Sequence, residues 1–246
     1  MLLAAVATFA GASVQSATGF GFALVLSPAL FAVLDPYEAV TALLALGLPL
    51  NLLMLADTGL QPVRWHELAP ALSAAVPGLG LGAVVIAVAP KPALQVAVGV
   101  AVLGAVMWQL RRRAVDPAPS RGGAGRSGAL AGLASGALTT SISLSGPPLV
   151  LWLESRRPRP VELRASLAVC FVALNLSGCA VLVASGGIDR AVELELLAPL
   201  LLVVLAGHVA GLMAFRRLDG PRFSAVVMAV VAAAGLASVA AGLTAA

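Results

Sequence analysis

The chain has 246 residues, 60% of them hydrophobic and 11% charged, with a mean hydropathy of +1.02 and a formal net charge of +4. A soluble domain of ordinary composition carries about a quarter charged residues, so a water-soluble fold is excluded and an all-α polytopic membrane protein is expected. Metalloprotease, redox-dithiol, nucleophile-elbow and phosphate-loop motifs are all missing from the sequence. No enzyme, metal or cofactor is therefore expected, and the arginines come without any nucleic-acid module.

Eight apolar segments follow one another, at 2–34, 37–56, 68–89, 93–110, 128–153, 161–184, 192–215 and 223–243. Six have the length of one helical crossing of a roughly 30 Å hydrocarbon core. The segments at 2–34 and 128–153 are too long or too interrupted for a straight span. The first carries Gly19-Phe20-Gly21 and then Ser27-Pro28, which predicts two breaks, with Ser27 as the N-cap of the helix after the second. Met1-Leu2-Leu3 has no basic flank, so this segment is expected to stay in the mature protein rather than leave as a signal peptide.

The fifth segment gathers Thr139, Thr140, Ser141, Ser143 and Ser145 ahead of Gly146-Pro147-Pro148. Non-helical backbone at membrane depth is tolerated only where protein or a water-filled cavity satisfies it. Proline suits the first turn of a helix, so a new helix is predicted here with Ser145 or Gly146 as N-cap. Such a terminus offers free amides and the positive end of a dipole, the parts from which anion sites are built. Cys170 and Cys179 lie in one predicted helix about 13 Å apart along its axis, too far for a disulfide.

Residues 111–127, basic and rich in proline and glycine, read as a solvated linker between an N-terminal half, 1–110, and a C-terminal half, 128–246. The halves match each other in three places. Ser27-Pro28-Ala-Leu30 falls on Gly146-Pro147-Pro-Leu149 at an offset of 119, Glu38 and Asn51 on Glu162 and Asn175 at 124, and Gly78 and Gly82 on Gly207 and Gly211 at 129. A duplication with a broken helix in corresponding places points to a secondary transporter site.

Topology can be read from the 15 lysines and arginines. If all eight segments cross once, the two sides hold 7 and 8; if the broken segments go in and return, they hold 13 and 2. The positive-inside bias selects the second arrangement. It predicts two inverted repeats, each a broken or re-entrant segment plus three transmembrane helices, with the linker cytoplasmic and both termini outside.

Gly146-Pro-Pro-Leu-Val-Leu-Trp-Leu153 resembles the second repeat of the TauE/SafE sulfite exporter family, also called the toluene-sulfonate uptake permease family. Gly128, Gly132 and Gly136 at four-residue spacing, Arg164-Ala-Ser-Leu167 and Asn175 fit that resemblance. Gly19-Phe-Gly21-Phe-Ala-Leu-Val-Leu-Ser-Pro28 is similar to the family's glycine-rich turn, and Ala206-Gly207-His208-Val-Ala-Gly211 with Arg216-Arg217 and Pro221-Arg222-Phe223 to its penultimate helix and following loop. The resemblance implies a bacterial inner-membrane transporter of a small anion such as sulfite or an organosulfonate. Its access would alternate as one repeat rocks against the other. An anion channel or a non-transporting scaffold is the alternative, and a homodimer is compatible with either.

The expected substrate path runs through Gln15, Gly19, Gly21, Ser27 and Asn51 in the first half and Thr139, Thr140, Ser141, Ser143, Ser145, Gly146 and Asn175 in the second. Each also has a plainer reading: hydroxyls bond their own helix, buried amides brace a break, and glycines let helices approach. His208, an ionisable group inside the seventh segment, is the candidate proton carrier. Arg164 reads as a headgroup anchor, and Asp57 as the cap of a helix end.

Overall fold

The computed structural model describes residues 2–114, 124–185, 194–217 and 220–244. They form ten helices and no strand: α1 (Leu2–Thr18), α2 (Phe22–Val33), α3 (Pro36–Thr58), α4 (Trp65–Val88), α5 (Lys91–Ala114), α6 (Ala124–Ile142), α7 (Gly146–Glu154), α8 (Pro160–Ala184), α9 (Leu194–Arg217) and α10 (Gly220–Thr244). Among the described residues, four spans are long and apolar enough to cross a membrane: Pro36–Thr58, Trp65–Val88, Lys91–Trp108 and Pro160–Ala184. Large aliphatic side chains such as Val76, Val84, Val88 and Leu202 stand exposed on the outer surface, where a bilayer would cover them. Most of the linker, 115–123, lies outside the described residues.

Both interrupted segments fold as a longer helix, a short turn and a shorter returning helix. In the first, Gly19 and Gly21 take φ of 97° and 119°, values that only glycine adopts without strain. In the second, Ser143 takes φ 58°, and Pro147 and Pro148 stand in the opening turn of α7 with Ser145 as N-cap. The predicted second break at Ser27-Pro28 does not occur. Pro28 lies inside α2, and Ser27 is a buried helical residue whose hydroxyl has no partner rather than a cap. A membrane helix accommodates an interior proline where its surroundings compensate the lost bond, so proline alone did not mark the boundary.

Three helix boundaries recur at a fixed spacing. α1 ends at Thr18 and α6 at Ile142, α2 begins at Phe22 and α7 at Gly146, and α3 begins at Pro36 and α8 at Pro160. Every pair is 124 apart, so the offset of 119 drawn through Ser27-Pro28 is replaced by the one that relates Asn51 to Asn175. The openings of α3 and α8 are alike. Each has proline at its first position and a glutamate, Glu38 or Glu162, that accepts a hydrogen bond from the N–H of the cap residue, Asp35 or Arg159.

The most extensive helix pairs are α4 with α6, α5 with α10, α1 with α9, and α3 with α8. Close approach at the first and third rests on glycine. A Cβ on Gly78 or Gly82 would strike the backbone of Leu133 or Ala137 in α6, and one on Gly207 or Gly211 would strike that of Phe9 or Ser13 in α1. These small-residue stripes suit a membrane interior, where packing rather than the hydrophobic effect joins helices. Gln95 fastens α5 by donating to the carbonyl of Phe31 at 2.8 Å and accepting from Ser238 Oγ at 2.9 Å.

Candidate functional site

A cavity of about 40 Å³ lies where the two short helices begin. Its walls are the first turn of α2, from Gly21 to Leu24, and the stretch from Ser143 to Pro147 that opens α7. Gln15 enters from α1, Gly47 and Asn51 from α3, and Phe171 and Asn175 from α8, while Phe20 closes a side. One water needs roughly 10–15 Å³ by this kind of measure, so the space suits a small polar ligand.

Helix geometry leaves the first four amide N–H groups of a helix without an intrahelical acceptor. In α2 that of Phe22 is taken by Gln15 Oε1 at 3.0 Å, and those of Ala23 and Leu24 stand at the wall. In α7 the prolines remove two donors and leave those of Ser145 and Gly146. Among the described lining residues there is no lysine or arginine. What the wall offers an anion is the positive end of two helix dipoles and their amides.

The side chains divide into satisfied and unsatisfied groups. Gln15 Nε2 donates to Asn51 Oδ1 at 2.7 Å, and Asn51 Nδ2 donates to the Gly47 carbonyl at 2.8 Å. This pair braces the break after α1. Asn175, 7% exposed, makes no hydrogen bond among the described residues, and neither do the hydroxyls of Ser143 and Ser145, at 6% and 9%. Gly47 leaves room for the Asn175 amide, since a Cβ there would stand 2.9 Å from Nδ2.

Of the residues anticipated from sequence, Gln15, Gly21, Asn51, Ser143, Ser145, Gly146 and Asn175 meet at this cavity. Five others lie elsewhere. Gly19 packs against the Arg164 side chain, and Ser27 is buried in α2. Thr139 donates to the carbonyl of Ser135, Ser141 to that of Ala137, and Thr140 across the interface to that of Leu79. Phe20, Phe22 and Phe171 were not singled out as wall residues. Phe171 stands 124 positions after Gly47, the spacing that also separates Asn51 from Asn175, and that spacing was the available signal.

His208 lies apart from the cavity. Its Nδ1 is 2.8 Å from Ser16 Oγ and its Nε2 is 3.2 Å from Asp57 Oδ2. The fold thus places a histidine and a carboxylate in line with a serine. Ser16 is nevertheless fully buried, so its oxygen cannot meet a substrate as a nucleophile. Arg164, anticipated as a headgroup anchor, turns inward instead and donates from Nη2 to the Ser16 carbonyl at 2.8 Å.

Comparison with known proteins identifies the family. The family model for the sulfite exporter TauE/SafE matches residues 3–238. A probable sulfite/organosulfonate exporter TauE of Cupriavidus necator is 28% identical over 206 residues, covering 80% of this chain and 77% of that protein. No solved structure matches the chain at a significant level. The chain belongs to the TauE/SafE sulfite exporter family, a family of membrane transporters rather than enzymes.

Proposed function

We propose that this member of the sulfite exporter family is a secondary transporter that binds a small sulfur oxyanion or sulfonate in the cavity between α2 and α7. The observation that carries the reading is the set of unpartnered polar groups there. Asn175, Ser143 and Ser145 are each at least nine-tenths buried and lack a partner among the described residues. A buried polar group left unpaired costs about 1–3 kcal/mol, so a donor set of this kind is expected to have a ligand or water as partner. Two helix N-termini beside it favour an anion, and with no cation at the wall the amides and hydroxyls would replace its lost hydration.

Alternating access between two inverted repeats is the mechanism that accords with the geometry. The end of α1 and the starts of α2 and α3 recur 124 positions later, and the glycines of α4 meet α6 as those of α9 meet α1. In that frame the short helices enter the membrane from opposite faces, both termini lie outside and the linker is cytoplasmic. Repeats related this way give two nearly equal packings, and rocking between them exposes the cavity to each side in turn.

A thermal-shift panel on the detergent-solubilised protein tests the ligand class. Sulfite, sulfate, thiosulfate, sulfoacetate, an aromatic sulfonate and chloride are compared at matched ionic strength. Ligand at a hundred times Kd stabilises by about 2.7 kcal/mol. A rise confined to sulfur anions and lost in Ser145→Leu and Asn175→Leu supports the reading. A flat panel on folded protein contradicts it.

A further inference from the structure

The last turn of α1 is held from two sides. On one, Gln15 carries the cavity wall, bonding Asn51 and the first amide of α2. On the other, Ser16 is gripped by second-half helices: its hydroxyl by His208 of α9, its carbonyl by Arg164 of α8. Three residues on, Gly19 turns the chain into α2. Any change in the grip on Ser16 therefore acts on the donors of the cavity through a single helical turn.

Among the described residues, the grip is ionisable at this corner and not at its counterpart. Asp57, at the end of α3, lies 3.2 Å from His208 Nε2 and is 40% exposed, so its carboxylate links the buried ring to the protein surface. The residues 124 or 129 positions away that occupy the equivalent corner are Thr140, Leu79 and Val181, and there Thr140 Oγ1 simply donates to the Leu79 carbonyl. Packing at such a corner needs no titratable group.

We propose that His208 is a proton-binding site linked to the cavity through the last turn of α1. The proposal rests on the cavity being a ligand site. Among the described residues, the charged or titratable groups around the ring are Asp57 from α3 and Arg164 from α8, which holds the Ser16 carbonyl. α1 presents only the Ser16 hydroxyl, and on α9 itself Arg216 lies about two turns away. A neutral ring donates from Nε2 to Asp57 and accepts at Nδ1 from Ser16 Oγ–H. A protonated ring donates from both nitrogens, so Ser16 Oγ becomes the acceptor and its own proton must turn to another oxygen. The bond to the carboxylate, charged at the acceptor alone while the ring is neutral, then carries charge on both partners and is strengthened as an ion pair. Proton occupancy thus resets the hold on α1, and by linkage cavity occupancy changes proton affinity by the same factor.

The test reads the cavity without needing a known substrate. Ser145→Cys is made with Cys170 and Cys179 replaced by alanine, and its modification by methyl methanethiosulfonate is timed from pH 5.5 to 8.0, with and without His208→Gln. The ratio of the two rates cancels the ionisation of the thiol itself. It is expected to change at least threefold across the range, to do so equally with His66→Gln, and to become constant once Asp57→Asn is introduced. A constant ratio in the parent pair overturns the proposal; Ser143→Cys serves if Ser145→Cys does not fold. In the His66→Gln chain the one remaining ring can be followed by nitrogen-15 resonance. A ring that keeps one protonation state from pH 5 to 8 also overturns it. Sulfur anions that bind while the ratio stays constant refute the proton site alone. A pH-dependent ratio beside a flat anion panel refutes the anion reading alone.

Discussion

Gln15 and Asn175 are the same kind of side chain put to opposite uses. Gln15 spends its amide on Asn51 and on the Phe22 N–H, so Gln15→Ala leaves two buried groups unpaired at about 1–3 kcal/mol each. A lowered denaturation midpoint with the fold retained is the expected outcome; an unchanged midpoint would show the bracing to be dispensable. Asn175 braces nothing, and Asn175→Leu should leave the midpoint near that of the parent while abolishing the anion-induced shift. Gly47→Ala should weaken the same shift, because its Cβ would stand 2.9 Å from the Asn175 amide. The 124-residue spacing made Asn51 and Asn175 legible in the sequence as a pair. It could not show which one was satisfied, since that depends on Gln15 having no amide counterpart at Thr139. For the same reason the hydroxyl run looked richer than it is: three of its five members bond backbone carbonyls, a choice set by which way each faces. Asp57, Ser16 and His208 are too far apart in sequence for any spacing to announce their meeting.

At the level of elements, glycine decides how closely the helices approach. A Cβ on Gly132 would strike the Ala71 backbone of α4, and backbone cannot move aside as a side chain can. Gly132→Val should therefore destabilise by roughly 3 kcal/mol or more. On α4, by contrast, nothing lies within 4 Å of a Cβ on Gly80, and Gly80→Ala should be neutral or stabilise by about 0.5–1 kcal/mol. Detergent melting of the two variants checks the pair, and equal effects would contradict the packing described. The long apolar spans and the interruption at Gly19-Phe20-Gly21 were readable because length and glycine act locally. The supposed break at Pro28 was not, because whether an interior proline ends a membrane helix depends on neighbours that a single segment does not reveal.

For the whole molecule, the proposed topology and the proposed mechanism are separable. Single cysteines in the linker and near the C-terminus, in the chain with both native cysteines replaced, should label from opposite faces of the membrane. Labelling from one face would exclude three net crossings per half. The mechanism is tested most directly by counterflow in proteoliposomes loaded with unlabelled sulfite and diluted into trace sulfur-35 sulfite. An alternating-access carrier built around this cavity exchanges inside for outside, so label should accumulate transiently above equilibrium, and folded Asn175→Leu should abolish the overshoot. Label that only equilibrates, or an overshoot that survives in Asn175→Leu, would contradict a carrier with its site between α2 and α7.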